Sequence, residues 1–263
     1  MPHSTPMSAW YAQDGYGVRL EWGSPGVRRL ASQVAALVVV DVLSFTTAVS
    51  IAVEAGTRVF PYPWRDATAS AYAVRVGAKL AVGRREISEA TPWSLSPAAL
   101  RSAPVPPRLV LPSPNGSAIA AAAAEAPDGP AVLAGCLRNA TAVGRWLSAR
   151  GYGRPDRPVA VVAAGERWPD RDGLRPAVED LLGAGAVVAA LTAASGSTLS
   201  PEAAAAGAAF TTVADVGVAV TQSVSGRELT EYGFPEDVAI AARVDDSGVV
   251  PVLDDAAFAP ARD

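Results

Sequence analysis

The sequence predicts an α/β fold of three layers, α/β/α, with helices on both faces of a largely parallel, possibly mixed sheet. Three observations carry this reading. A unit of apolar strand, polar turn and helix recurs at 34–55, 109–126, 131–150 and 158–194. The strand segments are near-continuous apolar runs, such as Ala36-Leu-Val-Val-Val40, which is the pattern of strands covered on both faces rather than on one. Half of the 263 residues are hydrophobic and only 18% are charged, enough apolar material for one large core.

The elements follow in order. Residues 1–33 form an irregular N-terminal segment with one strand, Val18 to Trp22, turned by Gly23 to Gly26. Residues 34–263 then read as a single α/β domain. Its opening strand is Val34 to Val42, followed by a helix from Thr46 to Ala55 that Gly56 closes. A short strand at Arg58 to Pro61, a helix at Ala67 to Gly77 and a strand at Lys79 to Val82 come next. The segment from Gly83 to Pro97 is a loop, too rich in charge, Ser and Pro for regular structure. One helical turn at Leu95 to Arg101 and a Pro-rich link lead to the strand Leu109 to Leu111, and the helix Ala118 to Ala126 is stopped by Pro127. Then come a strand at 131–134, a helix at 140–150, a strand at 158–164, a charged loop through Arg175 and a helix from Ala177 to Ala194. Glu202 to Ala209, Val213 to Ser223 and Ser225 to Tyr232 are helical, and Val249 to Leu253 is the last strand.

Composition excludes several functions. A net charge of −4, a pI near 5.1 and no basic block argue against a nucleic-acid surface. Apolar stretches are broken before the ~20 residues that a membrane span needs, and the start lacks a signal pattern, so the expectation is a cytoplasmic protein without a membrane partner. The single cysteine, Cys136, forms no intramolecular disulfide and reads as a packing residue. The single histidine, His3, lies in the polar N-terminal tip. Chemistry that needs a core histidine, including Ser-His-Asp hydrolysis and His-rich zinc sites, is therefore excluded.

Ligands in such sheets bind beyond the carboxyl ends of strands. Four strand ends carry suitable residues: Asp41 with Thr46 and Thr47; Ser113, Asn115, Gly116 and Ser117; Arg138 and Asn139; and Glu166 with Glu179 and Asp180. Helix starts with Ser, Thr, Asn and Gly donate hydrogen bonds to phosphate oxygens, and carboxylates without His or Cys suit Mg²⁺. The same Ser, Thr and Asn residues also serve as ordinary helix caps, so each turn alone is ambiguous. Asp41 is less so, because a carboxylate between Val38-Val-Val40 and Val42-Leu43 is costly to bury unless paired or metal-bound. Familiar phosphate motifs are absent. Ala142 stands where a cysteine phosphatase needs arginine, Leu43 breaks a D-x-D pattern, and no G-K-[ST] occurs.

The order of D-V-L-x-x-T-T at 41–47, N-G-S at 115–117, G-x-x-x-N-A at 135–140, A-G-E at 164–166 and E-D-x-x-x-A-G at 179–185 resembles the 2-phosphosulfolactate phosphatase (ComB) family. The resemblance covers about 35–255. It implies a Mg²⁺-dependent hydrolase that converts (R)-2-phospho-3-sulfolactate to 3-sulfolactate and phosphate, a step towards coenzyme M, in a homodimer. Asp41, Glu166, Glu179 and Asp180 are the expected catalytic and metal-holding residues. Thr46, Thr47, Ser113, Asn115, Gly116, Ser117 and Asn139 are the expected phosphate contacts, with Arg84, Arg85 or Arg138 reaching the other anionic group of a small acidic substrate. Ser44-Phe45 stand where the family usually has Arg-Ala, and the segment after Glu166 is longer than usual. Two alternatives follow from these departures: a changed substrate on the same scaffold, or a non-catalytic binder of a phosphorylated or sulfonated metabolite.

Overall fold

The computed structural model describes residues 10–125 and 129–262. His3 and the end of the helix expected to reach Ala126 lie outside them. In chain order the elements are β1 (Val18–Trp22), α1 (Gly23–Leu30), β2 (Ala36–Val40), α2 (Phe45–Glu54), β3 (Arg58–Tyr62), α3 (Ala67–Arg75) and β4 (Lys79–Leu80). There follow α4 (Pro97–Ser102), β5 (Arg108–Pro112), α5 (Gly116–Ala124), β6 (Ala131–Gly135), α6 (Ala140–Ala149), β7 (Val159–Ala163), β8 (Glu166–Arg167) and β9 (Leu174–Arg175). The last are α7 (Val178–Ser195), α8 (Pro201–Thr212), α9 (Val216–Gln222), α10 (Val224–Glu231), α11 (Pro235–Ala241), β10 (Pro251–Asp254) and β11 (Ala257–Pro260).

Nine strands form one mixed sheet in the order β1-β7-β2-β6-β10-β11-β3-β5-β4. Two parallel blocks, β1-β7-β2-β6 and β3-β5-β4, are joined by the antiparallel hairpin β10–β11, through the single pairs Val252↔Leu133 and Phe258↔Val59. The three layers follow from residue alternation. Val38 and Val40 of β2 pack with residues of α6, α7 and α8 on one face, whereas Leu37 and Val39 pack with those of α1, α2 and α5 on the other. All five residues of β2 are fully buried, and burying each Val or Leu side chain stabilises the fold by roughly 1.5–3 kcal/mol.

The N-terminal strand is not an appendage, since β1 pairs in parallel with β7 from Val18↔Val159 to Trp22↔Ala163. Gly23 to Gly26, expected as a turn, opens α1 instead. Several short elements were not expected, among them β11, which follows the strand expected to be the last. The charged stretch 166–175 contains the hairpin β8–β9, and P-E-D at 235–237 starts α11. Both are too short to leave a periodic signal.

Helix α7 is long and apolar enough to cross a membrane, but 56% of it is buried within the fold. It packs on α6 and α8 as a core helix. Its Gly183 permits a close approach to β2: a Cβ there would lie 2.6 Å from Val42 and 2.9 Å from Val40. That approach carries Glu179 and Asp180, in the first turn of α7, under the turn that follows β2.

Candidate active site

The loops leaving the carboxyl ends of β2, β5 and β7 meet over the start of α7. Asp41 is the residue that ties two of them together. The backbone N–H groups of Ser44 and Phe45 donate to its Oδ1 at 2.7 and 3.1 Å, and that of Gly116 donates to Oδ2 at 2.9 Å. Gly116 is required by this contact, because a Cβ would stand 2.7 Å from Asp41 Oδ2 and 2.4 Å from the Phe45 ring. Asp180 plays the same part for the third loop. Its Oδ1 accepts from the N–H of Val42 at 2.7 Å and its Oδ2 from that of Gly165 at 2.8 Å. Two buried carboxylates thus hold three loops in register through backbone donors.

Glu166 and Glu179 complete an acidic cluster. Glu166 Oε2 accepts from Asn115 Nδ2 at 3.0 Å. Glu179 is 2% exposed, and its Oε2 is a buried acceptor without a hydrogen-bond partner. The four carboxylates repel one another. Burial, followed by the charges of Asp41 and Glu179, pushes the Glu166 carboxyl up to about 7. Burial and the same neighbours raise Asp180 well above the carboxylate range. Burial raises Asp41 as well, against the opposing pull of its three backbone donors and Arg84. Such a cluster needs protons or a cation to offset its charge.

A pocket of about 270 Å³ opens beside it, its polar lining including Asp41, Ser44, Arg65, Arg84, Ser113, Asn115, Glu166, Glu228 and Tyr232. Arg84 is aimed by a buried support: its Nε donates to Asp237 Oδ2 at 3.0 Å, while Asp237 Oδ1 accepts from Ser96 Oγ at 2.6 Å and the Ala98 N–H at 3.0 Å. Arg84 Nη2 donates to Ser44 Oγ. Arg65, absent from the residues expected at the site, faces the same pocket. Burial, then the nearby charge of Arg84, lowers its guanidinium from the usual value. The pocket wall thus carries two cations, of which Arg84 is paired with Asp237, together with the carboxylate of Glu228.

Several expected contacts are engaged elsewhere. The Thr46 hydroxyl donates to the Asp41 carbonyl at 2.8 Å and the Thr47 hydroxyl to the Val42 carbonyl at 2.8 Å. Ser117 Oγ donates to the Leu111 carbonyl at 2.8 Å, and the Gly116 N–H is taken by Asp41. These residues shape the turn and do not present donors to a phosphate. Asn139 is likewise internal, its Oδ1 accepting from the Cys136 N–H and its Nδ2 donating to the carbonyls of Ala134 and Val249. Arg138 is fully buried outside the pocket, held by Ser50 at 3.1 Å, Glu54 at 3.1 Å and Asp246 at 3.4 Å. Arg85 is exposed and lies over the Tyr232 ring at 5.1 Å. Arg84 is therefore the one of the three expected arginines that lines the pocket, with Ser113 and Asn115 as its polar company. Burial raises the Cys136 thiol, in keeping with a packing role.

The cluster's donors are carboxylate oxygens, but among the described residues no group of three or more His, Cys, Asp or Glu is arranged so that it could hold a metal ion. The unpartnered Glu179 Oε2 is the atom that most needs a positive neighbour.

A family model described as 2-phosphosulpholactate phosphatase matches residues 27–256, and the chain belongs to that family of phosphoric monoester hydrolases. No curated protein sequence matches the chain.

Proposed function

We propose, taking membership of that family as the premise, that the chain hydrolyses the phosphate monoester of a small, multiply anionic acid. 2-Phospho-3-sulfolactate is the substrate that the family's description names. The observation that supports this reading best is the meeting of Asp41 and Glu166 with Arg65 and Arg84 at one small pocket, with Glu179 and Asp180 buried close enough to raise the Glu166 and Asp180 carboxyls.

Asp41 and Glu166, which reach the pocket, are the residues that would hold Mg²⁺, with Glu179 Oε2 behind them. Bound there, the ion supplies neutralisation of phosphoryl charge and a polarised water. The chain's own groups do the rest. Asp180 braces the Val42 and Gly165 turns and fixes where Asp41 and Glu166 stand. The second N–H of Asn115 Nδ2 and the Ser113 hydroxyl are donors for phosphoryl oxygens. Arg84, held by Asp237, and Arg65 engage the second anionic group and orient the ester. Glu166, with a carboxyl near 7, gives up its proton around neutral pH as the cluster accepts a cation.

The reading carries with it a homodimer in the cytoplasm, which sedimentation and fractionation would check. The test of the activity is phosphate release from 2-phospho-3-sulfolactate in Mg²⁺, abolished by EDTA and by Asp41→Asn. No release from any small acidic phosphomonoester with Mg²⁺ or Mn²⁺ present would sink it. Tight binding without turnover would leave a metabolite binder.

A further inference from the structure

Helix α10 with the residue that ends it forms one wall of the pocket, through Ser225, Glu228, Leu229 and Tyr232. Spacings of three, four and seven residues place these four on one face of the helix. Ser225 is the only one of them that is buried. Its position is fixed from behind. The Ser223 hydroxyl accepts from the Gly226 N–H at 2.9 Å, and a Cβ on Gly226 would stand 2.1 Å from the Val220 carbonyl oxygen, so the first turn of α10 sits directly on α9.

Arg175 reaches this serine from the strand that pairs with Glu166. The β8–β9 register sets Glu166 opposite Arg175. The Arg175 side chain is 12% exposed, and its Nη2 donates to Ser225 Oγ at 3.3 Å. Glu228 Oε2 lies 3.8 Å from the same nitrogen, beyond hydrogen-bond reach, and Glu228 Oε1 stands 3.4 Å from the Tyr232 hydroxyl. Arg175 and Glu228 offset each other, so this wall presents no net charge to the pocket. It presents a donor instead. The Ser225 hydroxyl accepts from Arg175, and among the described residues its own proton has no acceptor. A hydroxyl that accepts from a cation is polarised into a better donor.

We propose that Ser225 is a substrate-binding residue, donating its hydroxyl proton to an oxygen of the substrate's acid group, and that Arg175 is the positioning residue that aims it. The proposal deepens the phosphatase reading and rests on it for the position of the ester at Asp41 and Glu166. It stays within a small, multiply anionic acid. Arg65 and Arg84 meet the charge of the acid group, and Ser225 adds a directional bond from a different element. A carboxylate has about four acceptor sites and a bidentate guanidinium fills about two, which leaves room for a neutral donor. Because Arg175 works by aiming the hydroxyl, its contribution to binding exists only while Ser225 is present.

The experiment is a double-mutant cycle on Ser225→Ala and Arg175→Ala, read as KM and kcat for 2-phospho-3-sulfolactate in Mg²⁺, with calorimetric binding of the same compound. Ser225→Ala is expected to raise KM about tenfold, the effect of one hydrogen bond to a charged group, with kcat within about twofold of wild type. Arg175→Ala should raise KM about fivefold and Arg175→Lys recover part of that loss, while the double variant should match Ser225→Ala within about twofold. Unchanged KM in Ser225→Ala overturns the proposal. So does a double variant that shows the product of the two single effects, since Arg175 would then act apart from Ser225. If wild type binds the compound without turnover and Ser225→Ala weakens that binding, the phosphatase reading fails and the role of Ser225 stands. A wild type that neither binds nor hydrolyses it overturns both.

Discussion

Arg84 and Arg138 are both shielded arginines, each paired with an acid far away in sequence, and each follows a strand in a turn that looks made for an anion. They differ in what is left over once the pairing is complete. Arg138 has spent its whole guanidinium on Ser50, Glu54 and Asp246, and it rivets α2 to the turn before α6 and to the loop before β10. Arg84 is held from behind by Asp237, while Nη2 reaches Ser44 at the pocket. An arginine aimed at a ligand is therefore identified by a support on one side and a cavity on the other, not by charge or turn type.

The largest effect that would test this contrast is on catalysis. Arg84→Ala is expected to lower kcat/KM for the anionic substrate by on the order of 10²-fold, and Arg84→Lys to recover only part of it, because a point charge does not reproduce the fork. A loss confined to thermal stability, with kcat/KM intact, would place Arg84 with Arg138 as a rivet. Next in size, Arg138→Ala is expected to destabilise the fold by about 2–3 kcal/mol by denaturant titration, leaving Glu54 and Asp246 without their shared partner. The folded fraction should keep kcat/KM within about twofold of wild type. A selective loss of activity would return Arg138 to the site.

The smallest expected effect concerns the acidic cluster. A carboxyl raised from 4.5 to about 7 in the folded chain binds its proton more tightly there than in the unfolded chain. Its contribution to stability is full below about 4.5 and is lost as pH rises towards 7. Without divalent cations, Tm should fall between pH 5 and pH 8, by on the order of 1–2 kcal/mol in stability after allowance for solvent screening. Glu166→Gln should flatten that fall, and Mg²⁺ should raise Tm more at pH 8 than at pH 5. A Tm that rises over the same interval would contradict the proposed state of the cluster.

Much of the scaffold was legible because burial leaves a strong mark on composition. Asp41 was visible as the one acid in an apolar run, and Glu179-Asp180 as a pair at the start of a long core helix. The family that the order of motifs suggested is the one whose model matches residues 27–256. The donors at the turns were less legible. Thr46, Thr47 and Ser117 carry hydroxyls that satisfy nearby carbonyls, and a sequence gives no sign of whether such a hydroxyl turns back or faces out. Arg65 went unnoticed because it sits alone in Trp64-Arg-Asp66 before an ordinary capped helix. Nor does the chain advertise that Asp237, in a short P-E-D turn, is the acid that aims Arg84. That pairing joins positions far apart and exists only once α11 is in place.

The C-terminal hairpin has a consequence for the order in which this chain acquires its shape. β10 and β11 occupy the middle of the sheet, yet they follow all of its other strands in the sequence. Until they arrive, β6 and β3 each present an unpaired edge, and such edges are templates for pairing with other chains. The strands that close the seam thus come after both blocks they join, and a nascent chain halted before Pro251 would carry two open sheets in place of one.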